Sequence, residues 1–403
     1  MPCVTFTGRS IRGTRPAAAW QSPTSEGNTV KFNKAAAASA IALASVLALS
    51  ACSGDGGAKS SGTPAASTTD AAVDYSSLSG TITAGGSSAQ ANAQAAWTAA
   101  FQAQAKGVTI NYDKSQGSGG GVTNWLNGSY DFAGTDAGLN ADQQKQSQAI
   151  CGTGGALNLP TYLSGVAVIY NLPGVKLQLS NKAVADIFSL KVTKWNDPEI
   201  AADNPGQNLP DSAITVVSRA DGSGTTANFT SYLSQTQPSV WTYPVSTAWP
   251  VQGTSGQQGG SGVVNTVTAG TGTIGYADHS SIGKAEAAKI QVGTSKTFVD
   301  YSASGATKAF DSAATATPQV KGDLLQKIDY TKITDKSAYP IPLLSYDVVC
   351  TTFKDAGQAK LTAAYLGFIA SETGQKVAAA NAGSAPLPAK IQTDVAASLK
   401  LVK

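Results

Sequence analysis

Residues 216–226 read VVSRADGSGTT, two apolar residues followed by a turn of small and polar ones. The apolar run that begins at Ile214 is typical of a buried strand, and the glycine-rich turn after it is typical of a helix start. Glycine permits a close backbone approach, Ser and Thr donate hydroxyl hydrogen bonds, and the first helical turn presents unpaired N–H groups. The stretch therefore predicts a strand, a turn and a helix, with a turn that can hold an anion.

Two more turns of this composition precede predicted helices, AGGSSA at residues 84–89 and QGSGGG at residues 116–121. Taken singly, the Ser or Thr of such a turn is most often an ordinary helix N-cap. Three such turns in one chain favour a single anion site at which they converge. None ends in the Gly-Lys-Ser/Thr of a P-loop, and the GxGxxG at residues 270–275 is not followed by a helix, which argues against a dinucleotide site.

Strand-like and helix-like segments alternate from about Asp74 onward. We predict strands at residues 80–84, 108–112, 130–133, 166–170 and 214–217, and helices at residues 97–101, 122–126 and 361–379. This alternation is typical of βαβ units and predicts an α/β protein with a mixed, mainly parallel sheet. A length of 403 residues is enough for about two domains.

The composition excludes several classes of protein. A single histidine, His279, and four cysteines exclude most zinc sites and any serine hydrolase that needs a histidine elsewhere. His279 is expected to be a surface or structural residue, with no metal site. The formal charge of +3, from 28 basic and 25 acidic residues, excludes a strongly basic nucleic-acid binder.

Residues 1–51 predict a signal peptide. Lys31 and Lys34 precede an uncharged, alanine-rich run at residues 35–51, and LSAC at residues 49–52 resembles the bacterial lipobox, in which the cysteine is lipidated. We expect Cys52 to carry the lipid; the alternative is an ordinary signal peptide with a chance cysteine. Because residues 1–29 are long and polar for a signal sequence, translation starting near Val30 is a further hypothesis.

Removal of residues 1–51 leaves 23 basic and 24 acidic side chains. A nearly neutral exported protein has no bulk attraction for anions, so any anion must be held by local geometry. Residues 52–75 are rich in Ser, Gly, Ala and Thr without a hydrophobic period, and predict a flexible tether behind the lipid anchor.

Further motifs accompany the stretch at residues 216–226. They are IF at 187–188, TKWNDP at 193–198, NPG at 204–206, GTIGY at 272–276 and APLP at 385–388. With these motifs, residues from about 78 to 400 resemble the phosphate-binding protein family (PstS) of the high-affinity phosphate ABC transporter. The resemblance implies a two-lobed periplasmic-binding-protein fold with a two-crossing hinge, lobe I at residues 76–167 plus 340–403 and lobe II at 168–339.

The resemblance also implies which residues bind phosphate. They are Ser88, Ala89, Ser118, Asp136, Arg219, Ser223, Gly224 and Thr225, with Asp221 expected to hold the Arg219 guanidinium. Ala89 stands where the family has a Phe that offers its backbone N–H, so the change loosens the apolar wall and keeps the donor. Asp136 suits phosphate because phosphate still carries a proton at neutral pH, whereas sulfate has none to donate to a carboxylate.

Two cysteines remain once Cys3 is removed with the leader and Cys52 is lipidated. Cys151 and Cys350 both lie in the exported part, where disulfides persist, and near the two predicted lobe crossings. We expect them to pair; two buried free thiols are the alternative.

The favoured function is capture of inorganic phosphate outside the cell and its delivery to the permease subunits of an ABC transporter. We expect a monomer without cofactor, metal, nucleic acid or catalysis, lipid-anchored to the outer face of the bacterial cytoplasmic membrane and touching the membrane only there. One alternative is a receptor for another tetrahedral oxyanion, sulfate or molybdate. Others are a secreted phosphatase with Ser223 or Ser118 as nucleophile, which lacks an obvious base, and a surface adhesin or sensor.

Overall fold

The structure, a computed structural model, describes residues 74–403. The predicted signal peptide, the predicted lipidation site Cys52 and nearly all of the predicted tether lie outside the described residues. Within residues 74–403, no helix is both long and apolar enough to cross a membrane.

The described chain alternates strands and helices, as the sequence predicts. The strands are β1 (Ser79–Gly86), β2 (Gly107–Asp113), β3 (Phe132–Thr135), β4 (Ala156–Asn171), β5 (Gln178–Leu179), β6 (Thr215–Arg219), β7 (Ser255–Gln257), β8 (Thr273–Asp278), β9 (Glu286–Ala287), β10 (Lys289–Gln291), β11 (Phe298–Val299), β12 (Ala314–Ala316), β13 (Gln326–Ile328) and β14 (Pro342–Cys350). The helices are α1 (Ala91–Gln104), α2 (Gly117–Leu126), α3 (Ala141–Cys151), α4 (Asn181–Phe188), α5 (Pro198–Asp203), α6 (Gly224–Thr236), α7 (Gly259–Ala269), α8 (Ala303–Ala313), α9 (Ala356–Ala370), α10 (Glu372–Ala382) and α11 (Ala389–Leu399).

One mixed sheet runs through most of the molecule in the order β2-β1-β3-β14-β4-β8-β6-β7, with β9 also paired to β4. The outer strands pair in parallel, β1 with β2 and β3, and β6 with β7 and β8. The antiparallel pairs of this sheet all involve β4 or β14. The predicted mixed α/β fold is thus confirmed, with two parallel groups of strands joined through two central antiparallel strands.

Strand β4 changes partners along its length, which divides the sheet into two halves. Residues 156–165 pair with β14, and residues 166–171 pair with β8. Nearly all of β4 is buried, because the sheet is covered on both faces. The change of partner falls next to the predicted crossing at residues 167–168, and β14 begins two residues after the other predicted crossing. The lobe boundaries themselves stay a prediction.

Helices α1, α9 and α10 pack together against the half of the sheet that contains β1. Trp97 and Phe101 on α1 are fully buried, and the Trp97 indole N–H donates to the carbonyl of Gly374 at 2.7 Å. The single helix predicted at residues 361–379 is instead two helices, α9 and α10. The break is at Ser371, whose hydroxyl caps the start of α10 by accepting from the Gly374 N–H.

A disulfide joins Cys151 at the end of α3 to Cys350 at the end of β14. Both cysteines are buried in a small apolar cluster with Trp125 and Val348. The predicted pairing is confirmed, and the two segments that it connects are 199 residues apart in the sequence.

Candidate functional site

The three glycine-rich turns of the sequence meet around one carboxylate, that of Asp136. Ser87 after β1 and Thr225 at the start of α6 both donate to this carboxylate, and the hydroxyl of Ser118 on α2 accepts the Asp136 N–H at 3.3 Å. The approach is so close that a Cβ on Gly224 would lie 2.6 Å from the Asp136 nitrogen. The parallel strands β1 and β3 both end at this site, and β6, from the parallel group on the other side of the two central strands, ends there as well.

Asp136 is buried and accepts three hydroxyl hydrogen bonds from described residues. Ser87 and Ser345 donate to Oδ1 at 2.5 and 2.6 Å, and Thr225 donates to Oδ2 at 2.9 Å. Burial raises the pKa of Asp136, while these hydroxyl groups and the charge of Arg219 oppose the rise by stabilising the carboxylate. An ionised carboxyl accepts about four hydrogen bonds, so the three hydroxyls leave room for one more donor at Oδ2.

Arg219, at the end of β6, forms a bidentate ion pair with Asp221. The Arg219 Nε–H donates to Asp221 Oδ1 at 2.7 Å, a second guanidinium N–H donates to Oδ2, and only 2% of the Arg219 side chain is exposed. Gly259, the first residue of α7, donates its N–H to the same carboxylate. Burial alone would raise the pKa of Asp221, but the hydrogen bonds and charge of Arg219 outweigh it and hold that pKa below its usual value.

The charges of this cluster do not by themselves attract an anion. Asp136 and Asp221 carry two negative charges when ionised, against the single positive charge of Arg219. An anion held here must therefore depend on hydroxyl and backbone N–H donors, as the near-neutral composition suggests.

The three serines predicted as phosphate ligands each accept a hydrogen bond from a backbone N–H. Ser88 accepts from Gly260 at 3.2 Å, Ser118 from Asp136, and Ser223, the N-cap of α6, from Thr226 at 3.1 Å. A hydroxyl that accepts one hydrogen bond still has its own proton to donate. Within residues 74–403 no protein acceptor takes that proton from any of the three, so all three can donate to a ligand.

Ser87 contacts the Asp136 carboxylate, whereas its neighbours Ser88 and Ala89 make other contacts. The Ser88 hydroxyl lies against the start of α7 rather than on Asp136. The backbone N–H of Ala89, predicted as a ligand donor, donates to the Ser87 hydroxyl at 3.1 Å. Ser87, next in sequence to the predicted residue, is the one that contacts the carboxylate.

Sequence reasoning missed three residues at this site, Ser87, Ser345 and Asn228. The side-chain amide of Asn228 on α6 donates to the Asp136 carbonyl at 2.6 Å. Ser87 lies in the predicted turn at residues 84–89, and Asn228 lies one helical turn after Gly224. The local sequence pattern could therefore have indicated both residues. Ser345 comes from a strand 209 residues farther along the chain, and no local motif marks it.

Two more buried carboxyls lie near the middle of the sheet, and neither contacts Asp136. Burial raises the pKa of Asp347 to about 7 and that of Asp278 to about 6. Asp278 accepts from the hydroxyls of Tyr162 and Ser280 at 2.9 and 2.5 Å. Asp347 is two residues beyond Ser345 on β14 and is fully buried.

We expect Asp347→Asn to stabilise the protein at high pH. Between the usual pKa of 3.8 and a folded value of about 7, the folded protein holds a proton that the unfolded chain has lost. The free energy of unfolding therefore falls as the pH rises through this window. Asn is neutral, so the variant should exceed the wild type at pH 8 by about 1.4 kcal/mol per unit of raised pKa.

Urea unfolding at pH 4 to 8 measures this difference, which should shrink as the pH falls and vanish near pH 4. Asp311→Asn, at an exposed position of α8, is the matched control and should run parallel to the wild type. A constant difference between Asp347→Asn and the wild type at all pH values would contradict the raised pKa.

Two surface cavities lie away from Asp136. One, of about 290 Å³, is lined by His279, Tyr301 and Tyr339 among others, and the other, of about 390 Å³, lies beside Tyr170 and Lys176. His279 is half-buried and stacks on Tyr301 with ring centroids 4.0 Å apart. Burial lowers the pKa of His279.

Comparison with known proteins identifies the class. A sequence model of the PBP superfamily domain matches residues 63–373. In the solved structures, the phosphate-binding protein of Stenotrophomonas maltophilia superposes with a TM-score of 0.63 at 20% identity, covering 79% of this chain and 94% of that one. A high-affinity periplasmic phosphate-binding protein (PfluDING), solved with bound phosphate at pH 8.5, superposes with a TM-score of 0.62 at 21% identity, covering 79% and 93%. These likenesses establish the fold.

The relatives found by sequence identify the family, whereas the solved structures identify only the fold. Phosphate-binding protein PstS 2 of Mycobacterium tuberculosis is 33% identical over 383 residues, which cover 93% of this chain and 100% of the relative. The chain belongs to the PstS family of phosphate-binding proteins.

Proposed function

We propose that this protein binds inorganic phosphate outside the cell and delivers it to the permease of an ABC transporter, without catalysing a reaction. The observation that carries the proposal is the buried carboxylate of Asp136, enclosed by three glycine-rich turns with one acceptor position beyond its hydroxyl partners. The relatives named for phosphate binding support the same ligand.

The chemistry of Asp136 selects for a protonated anion. Phosphate at neutral pH carries at least one P–OH group, which can donate to the remaining position on Oδ2. Sulfate offers no proton, so it would face the negative carboxylate with no hydrogen bond between them. A buried charged acceptor left unpaired costs about 1–3 kcal/mol or more, which corresponds to a large preference for phosphate.

The other proposed ligands supply donors around the remaining phosphate oxygens. We propose the free hydroxyl protons of Ser88, Ser118 and Ser223 for this role, because each serine oxygen already accepts a backbone N–H. The N–H groups of Gly224 and Thr225 at the start of α6 add the partial positive charge of a helix terminus. Arg219 supplies the one formal positive charge, held in place by Asp221.

Delivery requires the site to open, and the hydrogen bonds that would have to break include those that Thr225 and Asn228 donate to Asp136. We propose lobe I at residues 76–167 plus 340–403 and lobe II at 168–339. Gly119 N–H donates to the Gly222 carbonyl at 2.8 Å, and Gly260 N–H donates to Ser88, so these two hydrogen bonds run from one proposed lobe to the other. Opening about the two crossings, β4 and the segment before β14, would release phosphate to a permease.

The proposed location follows from the sequence of the leader. Lipidation at Cys52 would hold the protein at the outer face of the bacterial cytoplasmic membrane, with residues 52–75 as a tether. At about 5–6 Å × √n, a tether of this length keeps the folded part within roughly 25–30 Å of the anchor.

Ligand titration tests the proposal. The purified protein, stripped of ligand, is titrated with phosphate and with sulfate while tryptophan fluorescence is followed. Phosphate should give a saturable change at concentrations at least about tenfold below those at which sulfate responds. An equal response to both anions, or none to phosphate, would refute the proposed site. Turnover of a generic phosphomonoester above background would indicate a hydrolase instead.

A further inference from the structure

A chain of four buried hydrogen bonds ends at the Asp136 carboxylate. The Tyr365 hydroxyl donates to Gln94 Oε1 at 3.0 Å, and Gln94 Nε2 donates to Gln90 Oε1 at 2.9 Å. Gln90 Nε2 then donates to the Ser345 hydroxyl at 2.8 Å, and Ser345 donates to Asp136 Oδ1 at 2.6 Å. Every donor in the chain points the same way, towards Asp136, and all five side chains are buried.

The direction of these hydrogen bonds is set by an additional contact of Gln90. Gln90 Nε2 also donates to the Tyr346 carbonyl at 3.0 Å. Turning the Gln90 amide over would place its oxygen against that carbonyl and its N–H₂ against the N–H₂ of Gln94. The amide orientation is therefore fixed, and Ser345, which must accept from Gln90, has its proton left for Asp136.

The other Oδ1 donor, Ser87, is oriented in a different way. The backbone N–H of Ala89 occupies the Ser87 oxygen at 3.1 Å, so the local turn directs that hydroxyl. The orientation of Ser345 instead depends on a side chain from α1's N-cap position, Gln90. Of these two hydrogen bonds to Oδ1, only the one from Ser345 can therefore be altered by substituting a residue that does not itself contact Asp136.

We propose that Gln90 is a positioning residue for ligand selection: it directs the Ser345 hydroxyl onto Asp136 and so keeps Asp136 an ionised acceptor for a protonated anion. The inference rests on the proposed function, because it explains how that same site rejects a fully deprotonated anion. Ser345 is then a specificity-determining residue that contacts the carboxylate, and Gln90 acts through it.

The charged and titratable groups around Asp136 affect whether its carboxyl is ionised. Arg219 on β6 favours the ionised form, its partner Asp221 carries a negative charge, and Tyr112 on β2 is a further titratable group near Asp136. Burial raises the pKa of Asp136, and the Ser345 hydroxyl is one of the groups that oppose the rise. Without that donor, Asp136 takes up a proton at a higher pH. A protonated Asp136 can donate to sulfate, so sulfate binding should begin at a higher pH as well.

The test compares four variants of the purified protein with the wild type, Ser345→Ala, Ser345→Thr, Gln90→Leu and Gln375→Leu. Dissociation constants for phosphate and sulfate are measured from pH 5 to 8, and thermal unfolding shows that each variant is folded. Ser345→Ala and Gln90→Leu should each weaken phosphate binding at pH 7.5 by about tenfold. Both should also raise the pH at which sulfate binding appears by about one unit. Ser345→Thr keeps the hydroxyl and should restore the wild-type profile.

Gln375→Leu is the matched control. Gln375 is as buried as Gln90, its amide N–H₂ donates twice, to the carbonyls of Thr161 and Ile369, and its oxygen accepts once, but it does not touch the chain to Asp136. Its loss should lower the unfolding temperature without moving the sulfate profile. If the wild type selects phosphate but Ser345→Ala and Gln90→Leu behave like Gln375→Leu, the inference is overturned and the proposed function stands. If the wild type does not bind phosphate, both are overturned.

Discussion

Asp136→Asn is expected to weaken phosphate binding by about 10- to 100-fold and to reduce the preference for phosphate over sulfate by more than that factor. The carboxylate lies at the meeting point of three turns and already accepts from Ser87, Ser345 and Thr225. Asn keeps the shape but replaces one acceptor oxygen with a donor N–H₂, which cannot accept the P–OH proton. The same change removes the negative charge that repels sulfate, so sulfate binding should strengthen while phosphate binding weakens.

Asp323→Asn is the matched control for this substitution. Asp323 is also buried and also accepts three hydrogen bonds, from the backbone and side chain of Asn158 and from the Gln319 N–H. Its replacement should lower the free energy of unfolding while leaving both dissociation constants unchanged. A phosphate-to-sulfate ratio in Asp136→Asn equal to that of the wild type, by calorimetric titration, would show that Asp136 is not the discriminating group.

Removing the disulfide should have the largest effect on stability. The Cys151–Cys350 bond closes a loop of 199 residues, and cross-links that close long loops restrict the unfolded chain most. The double variant Cys151→Ala/Cys350→Ala should lose about 2–5 kcal/mol of unfolding free energy. Cys151 lies in the first and Cys350 in the second of the two segments predicted for lobe I, so the bond links these two segments.

Urea unfolding with and without a thiol reductant provides the control for this prediction. Reductant should shift the wild-type midpoint to that of the double variant and leave the double variant unchanged. A wild-type midpoint that does not move when free-thiol titration shows full reduction would contradict the stabilising role of the bond.

Much of the fold was predictable because its strands are short apolar runs between glycine-rich turns. The predictions for β1, β2, β3 and β6 agree in position with the structure to within a few residues. Strand β4 was predicted only over residues 166–170, because Pro160, Thr161 and Gly165 interrupt its apolar pattern. The strand tolerates these interruptions because it is hydrogen-bonded to β14 and β8. A local sequence pattern does not indicate that pairing.

The site was predictable where its residues lie in the turns, and not where a distant strand contributes. The turns contain Ser118, Arg219 and Thr225, the family resemblance added Asp136, and the structure brings these residues together. Strand β14 was not predicted at all, since buried polar residues such as Ser345 break its apolar run. Such residues are stable in a core only when tertiary partners satisfy them, and those partners cannot be inferred from the strand itself.

A crystal structure of the protein grown with phosphate tests the central claim most directly. We expect a tetrahedral anion between the turns, with one oxygen within hydrogen-bond distance of Asp136 Oδ2. Its other oxygens should contact Arg219, Ser118 and the first N–H groups of α6. An anion bound elsewhere, or a site in which no phosphate oxygen approaches Asp136 in crystals containing saturating phosphate, would contradict the account.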